Sequence, residues 1–215
     1  MVKHFFKLLS LLLAYPDEDL RQVAPEIAAM LRSENGLPVD IANRLAVLTD
    51  DIAATDLLDT QERYVALFDQ TRTLSLYLFE HVHGESRDRG QAMVDLRTHY
   101  EQHGLFMEPG ELPDYLPLLL EFLSVIPEVE SRQLLGDVRP LVISLAERLA
   151  KRRSPYAAVL DAVLALAPAV VDSAARESAS PDEEPAAMRD EAWAEAPVQF
   201  TAAPVPAPVR IGDIP

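Results

Sequence analysis

Cysteine is missing altogether from the 215 residues. That absence excludes disulfides, thiolate metal sites, protein-ligated iron–sulfur clusters and cysteine nucleophiles together. Glycine is scarce at 7 residues. With Leu and Ala abundant, a chain so poor in glycine favours helices over a turn-rich β fold. Positive charge is short as well: 19 Lys and Arg stand against 35 Asp and Glu, a formal charge of −16. Such a surface repels phosphate backbones and argues against nucleic acid as a partner; a basic peptide or protein segment is its natural electrostatic complement. Finally, no run approaches the ~20 apolar residues that span a bilayer.

The opening "MVKHFFKLLSLLLAYP" places two lysines before an apolar run, as a signal peptide would. The run Leu8–Ala14 is short, however, and Tyr15-Pro16 stands where small residues would mark cleavage. Phe5, Leu8, Leu9, Leu12 and Leu13 follow the i, i+3, i+4, i+7, i+8 rule of a core helix. The expectation is a cytoplasmic protein without stable membrane insertion.

What is present is helical periodicity, from Lys3 to about Pro168, punctuated by Pro and Gly. Tyr15-Pro16-Asp17 ends a first helix. Leu20, Val23, Ile27, Met30 and Leu31 define a second, stopped by "SENGLP". Ile41, Leu45 and Leu48 line a third. Leu57, Leu58, Tyr64, Leu67 and Phe68 line a fourth, capped by Thr55 or Asp59. "LSLYLF", residues 74–79, satisfies both alternation and helical spacing; with no second strand to pair with, it reads as helix. Ser86 is a cap for a helix running to Gly104, with Ala92, Met93, Leu96 and Tyr100 inward. Asp114 caps the next, with Pro117 in its first turn and Pro127 as its stop. Two further helices are expected around Leu141–Lys151 and Pro155–Leu166.

Past Val171 the composition changes: residues 172–215 carry 7 of the 17 prolines, nine acidic residues and three basic ones. Such sequence buries too little apolar area to offset the entropy of ordering. The fold class is therefore all-α: a single compact helical domain over residues 1–171 and a disordered acidic, Pro/Ala-rich tail over 172–215.

The stretch with the look of an active site is "HVHGESRDRG", residues 81–90. His99 and His103 lie close by at i, i+4, a spacing that can hold a metal. The metalloprotease motif requires Glu after its first His, where this chain has Tyr100. Ser86 lacks the glycine pattern of a nucleophile elbow, and no phosphate loop or dinucleotide fingerprint occurs. Histidines making ordinary polar contacts at a helix junction, with no catalytic residue and no bound metal, are the expectation; a His-rich metal-dependent hydrolase is the alternative from another class. Arg89 shares a face with Met93 and Leu96 and needs a carboxylate partner, for which Glu80 and Asp95 are candidates.

"LFEHVHGESRDRGQAMVDL", residues 78–96, with "YEQHGL" and "ELPDYLPLLLEFL", closely resembles the nitrate reductase assembly chaperones, within the wider TorD/DmsD/NarJ family of redox-enzyme maturation chaperones. "YVALF", residues 64–68, is similar to that group's aromatic-x-x-Leu-Phe signature, and "EPGELPDY", residues 108–115, to a stretched Glu-Pro-x-Asp-His motif. Tyr115 stands where the wider family usually has His, and Gln70 where it often has Gly. The resemblance covers roughly residues 5–165 and implies a non-catalytic, TorD-like helical chaperone. Such a protein binds the apo catalytic (alpha) subunit of respiratory nitrate reductase, NarG, notably its N-terminal peptide. It permits molybdenum cofactor insertion and iron–sulfur cluster maturation before membrane docking, while holding no cofactor stably itself. A sibling chaperone for another molybdoenzyme is the neighbouring alternative. On this resemblance Tyr64, Leu67 and Phe68 form a peptide groove. Glu80, His81, His83, Arg87, Asp88, Arg89, Asp95, Glu108, Pro109, Asp114 and Tyr115 contact the client or shape the groove walls.

Overall fold

The computed structural model describes residues 2–33, 36–81, 87–108 and 110–167. By its internal contacts the chain divides into Met1–Val171 and Asp172–Pro215. Every described residue lies in the first unit; the expected tail falls outside the described residues, as do the Ser86 cap, His83 and Pro109 within the first unit.

Eight α-helices are described: α1 (Val2–Leu13), α2 (Glu18–Ser33), α3 (Val39–Ala54), α4 (Leu57–Phe68), α5 (Arg87–Gln102), α6 (Leu116–Val125), α7 (Glu128–Lys151) and α8 (Ala157–Leu166). Two 3₁₀ turns, Arg72–Leu74 and Leu78–His81, separate α4 from α5. Among the described residues there is no strand, only one isolated bridge between Tyr77 and Tyr115.

The periodic apolar face of α1 is buried throughout: Phe5, Leu8, Leu9, Leu12 and Leu13 are each 5% exposed or less. It packs chiefly on α6, whose Leu116, Leu119, Leu120, Phe122 and Leu123 are wholly buried. Removing a Leu or Phe side chain of this kind from water contributes about 1.5–3 kcal/mol. Between the two helices the buried Ser10 hydroxyl donates to the Pro117 carbonyl at 2.7 Å, satisfying a side chain that would otherwise be costly there. α2 pairs with α3, and α8 packs against α7, α1 and α3. Gly36, before α3, lies so close to α1 that a Cβ there would be 2.2 Å from the Phe5 ring.

Several details depart from expectation. Asp56, rather than Thr55 or Asp59, caps α4, its carboxylate accepting from the Leu58 amide at 2.9 Å. The helix expected around Leu141–Lys151 begins at Glu128 and runs through Pro140. Its buried stripe of Ser131, Leu135, Val142, Leu145 and Leu149 continues on both sides of the proline, so packing outweighs one lost backbone hydrogen bond. Residues 74–79 do not form the one continuous helix expected: Leu74 ends one 3₁₀ turn, Leu78 and Phe79 begin the next, and 75–77 between them are not helical. Their partner is not a second strand but the segment before α6: the Leu78 amide donates to Asp114 O (3.0 Å) and the Leu116 amide to Leu76 O (2.9 Å). Asp114 accordingly does not cap α6, whose N-cap position is Tyr115. The start of α8 differs by two residues: residues 154–156 form a tight turn and the helix proper begins at Ala157. Gly104 ends α5 as expected, at φ 78°. Its amide donates to Glu101 O and that of Leu105 to Tyr100 O, both at 3.0 Å, the double closure of a Schellman turn.

Candidate functional site

Where α4 ends and the 3₁₀ segment turns back toward α6, the fold opens a cleft of about 410 Å³. Tyr64 and Phe68 on one face of α4, Tyr15 after α1, and Tyr77 and Tyr115 from the bridged segments supply aromatic lining. Their rings form two groups: Tyr15 meets Tyr64 edge-on at 5.6 Å and Tyr64 meets Phe68 at 4.8 Å, while Tyr77 meets Tyr115 at 5.2 Å. Pairs at these distances add to plain area burial and hold one another's orientation. Exposed Asp69, Arg72 and Glu80 stand at the rim.

The hydroxyls are ordered by what each can donate. Tyr64 Oη lies 2.9 Å from the Leu13 carbonyl, which can only accept, so its proton points there. The Tyr115 hydroxyl, 3.2 Å from Tyr64 Oη, is therefore the donor of that pair. Burial raises the phenols of Tyr64, Tyr77 and Tyr115 above their ordinary range, keeping them neutral near pH 7.

Behind Tyr115 sits Asp114, with no exposed surface. One carboxylate oxygen accepts from the Phe79 amide at 3.0 Å; the other has no hydrogen-bond partner among the described residues. Burial pushes this carboxyl up, while the Phe79 amide and the charge of Arg89 pull it back. Arg89 also stands 3.8 Å from Glu80, the partner it takes in preference to Asp95. Asp95 is exposed and accepts from Gln91. His81 Nε2 lies 2.8 Å from the Ser75 carbonyl and so braces the wall of the cleft.

Of the residues expected to form the site, Tyr64, Phe68, Glu80 and Tyr115 line this cleft, and His81, Arg89 and Asp114 support it. Leu67 instead faces a separate cavity of about 190 Å³ with Leu48, Ile52, Arg63 and Tyr156. One turn of α4 cannot aim consecutive residues the same way, since neighbours diverge by about 100°. Glu108 is exposed and its backbone amide donates to Glu111, away from the cleft. Arg87 and Asp88 occupy the first turn of α5, and their side chains lie outside the described residues. Sequence reasoning missed Tyr15, Asp69, Arg72 and Tyr77. Tyr15 and Tyr77 are aromatic residues in non-helical connections, the one local signal that could have found them.

An all-helical domain of this kind, carrying an aromatic cleft, has the fold of the redox-enzyme maturation proteins. A crystal structure of a candidate redox enzyme maturation protein from Archaeoglobus fulgidus matches the fold. It does so at a TM-score of 0.54 and 26% identity, over 76% of this chain and 91% of that one. Residues 15–161 match the family described as nitrate reductase delta subunit, and the chain belongs to that family. It is 45% identical to the nitrate reductase molybdenum cofactor assembly chaperone NarJ of Escherichia coli K12, over 91% of this chain and 84% of the relative. It is 41% identical to NarW of the same organism, described as a probable chaperone of the same kind, over 90% of this chain and 82% of that one. These relatives are named as assembly chaperones, not as catalysts. No helix among the described residues is long and apolar enough to cross a membrane.

Proposed function

We propose that this chain is a cytoplasmic assembly chaperone for a respiratory nitrate reductase. It binds the apo alpha subunit through that subunit's N-terminal peptide and keeps it competent for molybdenum cofactor insertion and iron–sulfur maturation before membrane docking. The cofactors belong to the client. The work is assigned to residues 1–171.

The observation that carries this reading is the aromatic cleft with its rim carboxylates. Tyr15, Tyr77 and Tyr115 offer apolar area with little side-chain entropy to lose, backed by the buried rings of Tyr64 and Phe68, and phenol hydroxyls and backbone supply polar anchors for an extended or helical peptide. The −16 formal charge accelerates encounter with a basic segment and disfavours acidic ones.

Titrating the purified chain with a synthetic peptide of the alpha subunit's N-terminal segment tests the reading. Saturable binding that weakens as salt rises is expected, with Tyr115→Ala costing about tenfold or more in affinity. Tight binding to the leader of a different molybdoenzyme, with indifference to this one, would transfer the chain to a sibling client. Indifference to every reductase peptide would overturn the assignment of the cleft.

A further inference from the structure

His99 and His103, one turn apart near the end of α5, meet a third group that the sequence alone did not bring to them. Glu130, in the first turn of α7, places its carboxylate so that one donor atom from each of the three residues lies within 4.8 Å of the others. The geometry points to a divalent transition-metal site of the zinc class, built from His99, His103 and Glu130 and joining the end of α5 to the start of α7.

The protonation pattern of His103 supports this. Its Nδ1 lies 3.0 Å from the His99 carbonyl oxygen, which can only accept, so Nδ1 carries a proton. In a neutral imidazole Nε2 is then a lone pair, yet it faces a Glu130 oxygen at 2.8 Å. Two acceptors at that distance need a proton, on the ring or on the carboxyl, or a metal ion between them. The Nδ1–H to carbonyl bond is also the outer-shell contact that orients a metal-binding histidine and fixes its tautomer.

The rings are held before any ion arrives. Phe122 packs against both, at 5.3 Å from His99 and 5.4 Å from His103, and the two imidazoles meet edge to face at 4.9 Å. Donors around a tetrahedral zinc are about 3.3 Å apart, so the trio closes on an ion with side-chain adjustment of roughly 1 Å. Two imidazoles and one carboxylate suit zinc, cobalt, nickel or copper; magnesium and calcium prefer all-oxygen shells. Three protein ligands leave the fourth position to water. The last turn of a helix favours positive charge, and the acidity of the chain favours it further. Such an ion would fasten the far end of the helix whose near end, through Arg89, reaches Glu80 at the cleft.

The test is calorimetric titration of the tag-free full chain with Zn²⁺, paired with Co²⁺ absorption in the visible. One equivalent of zinc, a cobalt spectrum of tetrahedral or five-coordinate type, and a zinc-dependent rise in Tm are expected. His103→Ala, His99→Gln and Glu130→Gln are each expected to weaken zinc binding at least about tenfold and to abolish the Tm rise. Helical circular dichroism without zinc reports whether each variant folds. Glu130→Gln alters a partly exposed carboxylate at constant shape, so it stays decisive even if a histidine variant misfolds. Absence of saturable one-to-one binding, or binding unchanged in folded Glu130→Gln, would overturn the site.

Discussion

Helices α5 and α6 are joined by 13 residues, 103–115, yet they are anchored in opposite ways. Six of the ten residues of α6 are buried, and it packs against α1 through the centre of the core. In α5 Tyr100 alone is buried among the described side chains, with Ala92, Met93, Leu96 and His99 only partly covered. One helix is held by area, the other by a few directed contacts: Tyr100 to the Pro113 carbonyl at 2.8 Å, Arg89 to Glu80, and His103 to Glu130. The difference teaches that stability and adjustability are divided between neighbours. α6 fixes the floor of the cleft through Tyr115, and α5 is attached at points that can be released one at a time.

The sharpest way to break this contrast is Phe122→Ala, because that ring serves both helices, lying 4.4 Å from Tyr100 and beneath both histidines. A loss of about 3–5 kcal/mol is expected in urea unfolding, with α5 amides losing protection from hydrogen exchange first. Tyr100→Phe is milder. It keeps the packing and deletes only the hydroxyl bonded to Pro113, so about 1–2 kcal/mol should be lost. Its sharper readout is a weaker grip on the segment that presents Asp114 and Tyr115, measurable as reduced affinity for the alpha-subunit peptide.

The smallest expected effect is a slope. Burial raises the Asp114 carboxyl above its ordinary value, so the folded state binds its proton more tightly than the unfolded chain does. This residue therefore adds stability below the unfolded pKa of about 3.9, and that contribution is lost as pH rises through the folded value. Asp114→Asn keeps an acceptor for the Phe79 amide and should flatten this part of the pH dependence. Comparing urea midpoints of the two proteins across the acid range checks it; parallel curves would show that the carboxyl titrates alike in both states.

Much of the fold was legible because local pattern and tertiary burial agree. The face Phe5, Leu8, Leu9, Leu12 and Leu13 is the core face of α1, and Gly104 ends α5 in the left-handed region. Residues 74–79 were not legible. Leu74 and Leu78 are buried under either a helical or an extended reading, and the deciding partners lie at 114–116. α7 was cut short for the opposite reason: Pro140 is a strong local breaker that a long buried stripe overrides. In the cleft, Tyr64 and Phe68 could be named because the stretch 64–68 resembles a family signature, which also drew in Leu67 on another face, whereas Tyr15 and Tyr77 arrive through long-range pairing that no spacing rule encodes.

The relay from Tyr115 through Tyr64 to the Leu13 carbonyl has a direction. Each phenol owns a single proton, and both are committed inward, so the Tyr115 oxygen meets the cleft with lone pairs alone. At that point the wall is a one-way polar valve: it welcomes an amide, ammonium or guanidinium hydrogen and turns away a carbonyl. Selectivity toward the proposed client peptide would thus begin with a backbone oxygen at the end of α1, more than a hundred residues before the tyrosine that displays it.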